Sequence, residues 1–272
     1  MTKVLIDGDI LLYQVAAAAE EGVEFSNEVV AAWVDIAEAK KTIASAIDKI
    51  IGQTKADSAV VCLTDKTNFR KEVLDTYKAN RIGVRKPIAF SALRRHMEHQ
   101  YTCITRETLE ADDVLGILLT YPDKDSKWGG KRIMYSADKD LLQIPGLHWS
   151  HKLEKIIKIT EADGDRQHWL QMLTGDRTDN YFGCPGIGPK KAEQILDKAG
   201  DDPWSAVVSA YEKSGLTSSH ALVQAQVSRI CRYQDYDHKR RIVKLWMPPQ
   251  TSVNTQKKTA TNISSGNLEN TG

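Results

Sequence analysis

Apolar runs in this chain stop short of the roughly 20 residues needed to cross a bilayer, so no membrane span is expected. The N-terminus also lacks the charged-then-apolar pattern of a secretory leader, and a cytoplasmic setting is the expectation. Cysteine is scarce and scattered: Cys62, Cys103, Cys184 and Cys231 form no Cys-x-x-Cys pair, which argues against a zinc or redox motif and for buried thiols. Excess charge of one sign is missing as well, with 37 basic against 36 acidic residues, so total charge does not advertise a polyanion as partner. No Walker-type phosphate loop and no serine–histidine–aspartate pattern appears, which removes the usual nucleotide-hydrolysis and acyl-transfer designs.

What is present is a chain of 272 residues, long enough for a sizeable core and one or two domains. Four short apolar, β-branched runs each lead into an acid: Val4–Ile6 into Asp7, Ala59–Thr64 into Asp65, Tyr101–Thr105 toward Glu110, and Arg132–Ala137 into Asp138. Such runs predict buried strands. Between them, apolar residues every three to four positions predict a helix from Val29 to Ile51, and a second is expected from Asp113 to Leu119. Alternating strands and helices predict an α/β fold with a parallel sheet, whose ligands bind beyond the carboxyl ends of the strands. From about Trp169 to Tyr236 the pattern turns helical, and the run Arg241–Trp246 is expected to return to the sheet. Beyond Pro248-Pro249 the composition is polar and predicts a disordered tail; the Asn262-Ile263-Ser264 triplet there is a chance match to a glycosylation acceptor. The expected division is an α/β core over residues 1–165, with a basic segment at about 66–100, a helical region over 166–248 and a tail over 249–272.

The acids fall in five groups: Asp7 (with Asp9), Asp65, Glu110-Ala111-Asp112-Asp113, Asp138-Lys139-Asp140, and Asp176 with Asp179. A single acid is more often a helix cap or a solvated charge. Several of them at the strand ends of one sheet would repel one another and be costly without cations. Oxygen-only donors suit hard ions such as Mg²⁺ or Mn²⁺. Two such ions about 3.5–4 Å apart can activate water and stabilise both the attacking and the leaving oxygen of a phosphoryl displacement. On a helix Glu110 and Asp113 would share one face, with Asp112 turned about 100° away.

Two further features concern charge. Residues 66–95 carry nine basic side chains against Glu72 and Asp75, with Phe69 and Tyr77 interleaved to stack or to pack. The turn Gly186-Ile187-Gly188-Pro189-Lys190-Lys191 opens an amphipathic helix, an arrangement suited to a phosphate backbone, with a plain helix–turn–helix corner as the alternative.

Taken together, the motifs Leu5-Ile-Asp-Gly, Thr64-Asp-Lys-Thr-Asn-Phe-Arg-Lys-Glu, Tyr77-Lys-Ala-Asn-Arg81, Leu109-Glu-Ala-Asp-Asp-Val, Ser136-Ala-Asp-Lys-Asp-Leu-Leu-Gln, Thr174-Gly-Asp-Arg-Thr-Asp-Asn and Gly186-Ile-Gly-Pro-Lys resemble the 5′-nuclease (flap endonuclease) superfamily, in particular its phage exonuclease branch. The resemblance runs from Val4 to about Trp246. It implies a PIN-like α/β core with a basic arch and a helix-three-turn-helix DNA-binding region. It implies a first metal site of Asp7, Asp65, Glu110 and Asp112, and a second of Asp113, Asp138, Asp140, Asp176 and Asp179. It further implies Lys78 and Arg81 as the pair acting on the scissile phosphate, Arg70 and Lys71 as DNA contacts, and Gly186, Ile187, Gly188 and Lys190 as the duplex grip, with a potassium ion on its carbonyls; Lys191 adds mobile charge beside them. The implied activity is two-metal 5′-3′ exonuclease and 5′-flap cleavage of DNA, extending to RNA–DNA hybrids, in phage replication, primer removal or host DNA degradation. Tyr181-Phe-Gly-Cys184, Lys191, Gln14 and Asp9 depart from the family pattern. The rival expectations are a PIN-type ribonuclease and an inactive structure-specific DNA-binding protein.

Overall fold

The computed structural model describes residues 1–26, 29–123 and 127–249. The polar tail and its glycosylation-like triplet therefore lie outside the described residues. Six strands form one sheet in the order β5-β4-β1-β6-β7-β8. The first five, β1 (Thr2–Asp7), β4 (Ser58–Cys62), β5 (Cys103–Ile104), β6 (Lys131–Tyr135) and β7 (Gly146–Ser150), run parallel, and β8 (Lys155–Ile159) closes the edge antiparallel to β7. Val4, Leu5 and Ile6 are buried on both faces, as a central parallel strand requires.

One face is covered by α1 (Gly8–Ala18), α2 (Ile36–Thr54) and α4 (Phe90–Gln100). Helix α2 starts where Asp35 accepts from the amides of Ala37 and Glu38. It buries Ala39, Ile43, Ile47 and Ile50, each buried isoleucine contributing about 1.5–3 kcal/mol. The other face packs on α5 (Ala111–Leu119). The sheet passes into α1 without a loop, and Gly8 makes that possible: a Cβ there would sit 2.4 Å from Val61 Cγ1 and 2.7 Å from the Cys62 carbonyl.

Two expectations are corrected here. The predicted helix from Val29 begins only at Ile36, because Val29–Trp33 is a strand, β3, paired antiparallel with β2 (Glu21–Ser26). The run after Arg241 does not rejoin the main sheet: β10 (Ile242–Val243) pairs with β9 (Tyr236–Asp237) in a separate small hairpin. Within the basic segment lie the single-turn helix α3 (Arg70–Val73), a 3₁₀ turn at Ala79–Arg81, and α4. Helices α6 (Glu161–Thr174), α7 (Pro189–Asp197), α8 (Pro203–Lys213) and α9 (Ser218–Ser228) pack around Met172, Leu173, Val207 and Tyr211.

Candidate active site

Beyond the carboxyl ends of β1 and β6, at the N-terminus of α5, lies a cavity of about 250 Å³. Its wall includes Glu110, Asp112, Asp138, Asp140, Asp176 and Asp179, with Tyr77 and Arg81 beside them. Each acid is placed by a local device. Asp7 ends β1 and caps α1, accepting from the Ile10 amide at 3.1 Å and from Ser136 Oγ at 3.0 Å. Asp138 caps the 3₁₀ turn Lys139–Gln143 by accepting from the Asp140 amide at 2.8 Å. Asp176 and Asp179 sit on a loop closed by reciprocal hydrogen bonds between Asp176 and Tyr181, 2.7 and 3.0 Å. That loop needs two glycines. Gly175 and Gly183 both have positive φ, and a Cβ on Gly183 would lie 2.4 Å from the Gly175 nitrogen.

The electrostatics are those of an anion cluster short of counter-charge. Burial, followed by repulsion from Asp9 and Asp138, raises the Asp7 carboxyl to about 6. Burial lifts Asp112 well above the usual carboxylate range, with Asp7, Asp138 and Glu110 adding to the effect. Asp140 rises to about 7, again through burial first and then Asp138, Asp176 and Asp179. Glu110 goes the other way. Burial would raise it, but the charges of Lys78 and Arg70 outweigh burial and bring it to about 2. Lys78 Nζ forms an ion pair with Glu110 and lies 3.4 Å from Asp179, which also pairs with Arg81. Lys78 holds left-handed backbone (φ 54°), a strained state for a lysine. Among the described residues no three ligating side chains close on one point as a ready coordination sphere. Lys78 and Arg81 occupy Glu110 and Asp179 instead, the protein's own cations standing where extra positive charge is wanted.

Several expected site residues are not brought together. Asp113 is fully buried and does not line the cavity; it takes a bidentate pair, at 2.7 and 2.8 Å, with Arg70, which does line it. It also accepts from the amides of Cys231 and Glu110. Arg70 is likewise engaged within the protein. Only 2% exposed, it donates to both Asp113 oxygens, to Glu110, and to the carbonyls of Val227 and Arg229, so no N–H is left for DNA. Asp65 does not line the cavity; Thr67 Oγ1 and the Thr108 amide donate to it, and these bonds hold its carboxyl at about 2. Asp9 accepts from the Thr64 amide, and its second oxygen is buried without a hydrogen bond, 3.9 Å from Arg94 Nη1. Lys71 is exposed on α3. In the glycine turn, Gly186, Gly188, Lys190 and Lys191 are exposed, whereas the Ile187 side chain is buried among Leu173 and Ala192 and offers DNA only its backbone.

Other contributors were not recognised from sequence. Tyr77 Oη lies 2.8 Å from Glu110 Oε2 and 3.0 Å from Asp179 Oδ2, bridging the two halves of the cavity. Gln143 is fully buried and donates to Gln171 and to the Ser228 carbonyl, tying the turn that carries Asp140 to α6 and to the end of α9. Ser136 joins Asp7 to the Asp138 amide. Tyr77 and Ser136 both stand inside quoted motifs, so their positions were visible although their partners were not.

A parallel sheet whose carboxyl edge opens into a carboxylate-lined cavity, beside a glycine-and-lysine helix start, defines an acid-cluster α/β protein suited to cations and phosphates. Residues 2–166 match the family model described as 5′-3′ exonuclease, N-terminal resolvase-like domain, and the chain belongs to that family. Among curated proteins it is 30% identical to the exonuclease of Escherichia phage T7, over 90% of this chain and 93% of the relative. It is 29% identical to the exodeoxyribonuclease of Enterobacteria phage T3, over 90% and 92%. Among solved structures, a T5 5′-exonuclease mutant superposes with a TM-score of 0.57 at 15% identity, covering 82% of this chain and 86% of that one. A T5 flap endonuclease complex with DNA and metal ions gives 0.58 at 16%, covering 83% and 89%. These likenesses extend the shared fold beyond residue 166.

Proposed function

We propose that this chain is a divalent-metal-dependent 5′-3′ exonuclease and flap endonuclease that hydrolyses phosphodiester bonds of DNA. The observation that carries this is the cavity where Glu110, Asp112, Asp138, Asp140, Asp176 and Asp179 meet at the end of the sheet, with Asp7 close enough to repel Asp112 and Asp138. The donor set fits hard cations: it is all oxygen, and burial leaves Asp112 and Asp140 short of compensating charge. Asp7, Glu110, Asp112 and Asp138 are proposed to hold one Mg²⁺ or Mn²⁺, and Asp140, Asp176 and Asp179 a second. When bound, the ions supply water activation and charge neutralisation at the reacting phosphate.

The chain's own groups do the rest. Lys78 and Arg81 present cations at the mouth of the cavity, where they meet the non-bridging oxygens of an incoming phosphate and steady the charge that develops on them. For that, they would exchange Glu110 and Asp179 for the phosphate, two carboxylates that are among those proposed to hold the cations. Tyr77 holds Glu110 and Asp179 in place, and Gln143 fixes the turn that carries Asp140. The N-terminus of α7, with Gly186, Gly188, Lys190 and Lys191, grips the duplex backbone without reading bases. Lys191 Nζ already lies 3.4 Å from the Gly186 carbonyl, an oxygen that a potassium ion would otherwise share. The relatives named above carry phage and exonuclease names, which supports a role in phage DNA metabolism. The test is cleavage of end-labelled duplex, 5′-flap and RNA–DNA hybrid substrates with Mg²⁺ or EDTA. Metal-dependent release from the 5′ end is expected. Binding without cleavage under any divalent ion would leave a DNA-binding protein instead.

A further inference from the structure

The hairpin β9–β10 concentrates positive charge that the cavity does not use. Lys239, Arg240, Arg241 and Lys244 stand within six residues that contain no acid, and all four are exposed. Arg106 joins them from the loop before α5, its guanidinium 5.1 Å over the Tyr236 ring and 3.4 Å from His238 Nδ1. Among the described residues none of these five cations makes a salt bridge, although fifteen such contacts occur elsewhere. The acids nearby are engaged. Asp235 pairs with Arg229, and Asp237 accepts from the amides of Lys239 and Arg240 at 3.0 and 2.9 Å. In a chain whose charges nearly cancel, five cations without a salt bridge, of which Lys244 and Arg240 feel the charge of Asp237, are a local feature of some strength.

The turn also keeps an arginine where glycine would be easier. Arg241 has φ 59° and donates its amide to the Asp237 carbonyl at 2.7 Å, the closing position of a hairpin loop that usually takes glycine. Left-handed backbone is unfavourable on such a residue. Behind the cations is a rigid aromatic base. Tyr233 and His238 stack at 4.3 Å, and Tyr121 meets both rings edge-on at 4.6 and 5.5 Å. The base is fixed to the core by the Tyr233 amide, which donates to Thr120 Oγ1 at the C-terminal end of α5. The acid cavity sits at the opposite end of that nine-residue helix, roughly 13 Å away.

We propose that the β9–β10 hairpin, with Arg106, is a second phosphate-backbone grip for nucleic acid, separate from both the acid cavity and the Gly186 turn. This rests on the nuclease function proposed above. Its class of ligand is duplex DNA contacted through phosphates without base reading, because exposed lysine and arginine tips on a short hairpin offer charge and reach but no groove-filling element.

The test compares the full-length protein with Lys239→Gln/Arg240→Gln and with Lys239→Gln/Arg240→Gln/Arg241→Gly. Binding of a labelled duplex of about 30 base pairs is followed in EDTA over a range of salt. Arg241→Gly removes a charge while relaxing the backbone, so the triple variant should melt no lower than the double one. The expected result is a Kd raised roughly tenfold or more near 0.1 M salt. The slope of log K against log salt should fall by about two in the double and nearly three in the triple variant. Lys155→Gln/Lys158→Gln, which removes two exposed charges on β8, should leave that slope as it is. An unchanged Kd and slope in the hairpin variants, or an equal loss from the β8 pair, would overturn the inference. Because binding is read without metal, a wild type that fails to cleave under Mg²⁺ would count against the nuclease function and not against the hairpin.

Discussion

Arg70 and Asp113 exchange both charges inside the protein, with 2% and 0% of their surfaces exposed. Removing the arginine leaves a buried carboxylate unpaired, which costs about 3–5 kcal/mol. Arg70→Gln is therefore expected to destabilise the fold by roughly that amount in chemical denaturation, and Arg70→Met/Asp113→Leu to recover much of it. A variant with normal stability and weakened DNA binding would restore the arginine to the substrate surface. Asp7 and Asp140 imply an opposite sign of linkage from ordinary carboxylates and from Glu110. Asp7 and Asp140 titrate near 6 and 7 in the folded protein and near 4 when unfolded, so the native state binds their protons more tightly. Without metal, their contribution to stability is fullest below pH 4 and is lost as pH rises toward 7. Melting temperatures in EDTA should accordingly fall across that window, with Mg²⁺ restoring stability at its upper end. A flat or rising profile between pH 5 and 7 in EDTA would contradict the charge-poor cluster.

Single elements deliver the acids, and their junctions are the sensitive points. Gly8→Ala would drive a methyl against Val61 and the Cys62 carbonyl, where β1 turns into α1 directly after Asp7. Overpacking of this kind costs about 1–3 kcal/mol and should lower activity together with stability. Activity unchanged in a fully stable Gly8→Ala protein would show that the turn has room to relax. The three central strands were legible because β1, β4 and β6 are short β-branched runs ending at acids. The hairpin residues Val29–Trp33 were not, since Val, Ala and Trp at mixed spacing also satisfy a helical period, and the true start signal, Asp35 capping Ala37 and Glu38, lies further on. Strands β7 and β8 escaped notice as half-buried segments with interspersed His, Lys and Ser, β8 at the edge of the sheet. The partners of Arg70 were not legible for a physical reason. A basic run reads as a solvated surface, while its partner Asp113 stands 43 positions away and the carbonyls of Val227 and Arg229 farther still.

At the scale of the molecule, the sheet gathers acids from distant parts of the chain into one cavity, and the helical half completes it with Asp176 and Asp179. Gln143, Gln171 and the Ser228 carbonyl lock the two halves together at the turn bearing Asp140. The central claim is that this cavity cleaves DNA by holding divalent cations. Its most direct test is Mg²⁺-dependent release of 5′ nucleotides by wild type and by Asp140→Asn, a change that keeps the side chain's shape and removes its charge. Calorimetric titration with Mg²⁺ and DNA binding in EDTA are measured on the same samples. Cleavage is expected to fall by at least about 100-fold, with weaker metal binding and undiminished DNA affinity. Cleavage by Asp140→Asn at the wild-type rate, or metal binding unaltered by it, would contradict metal-dependent cleavage at this cavity.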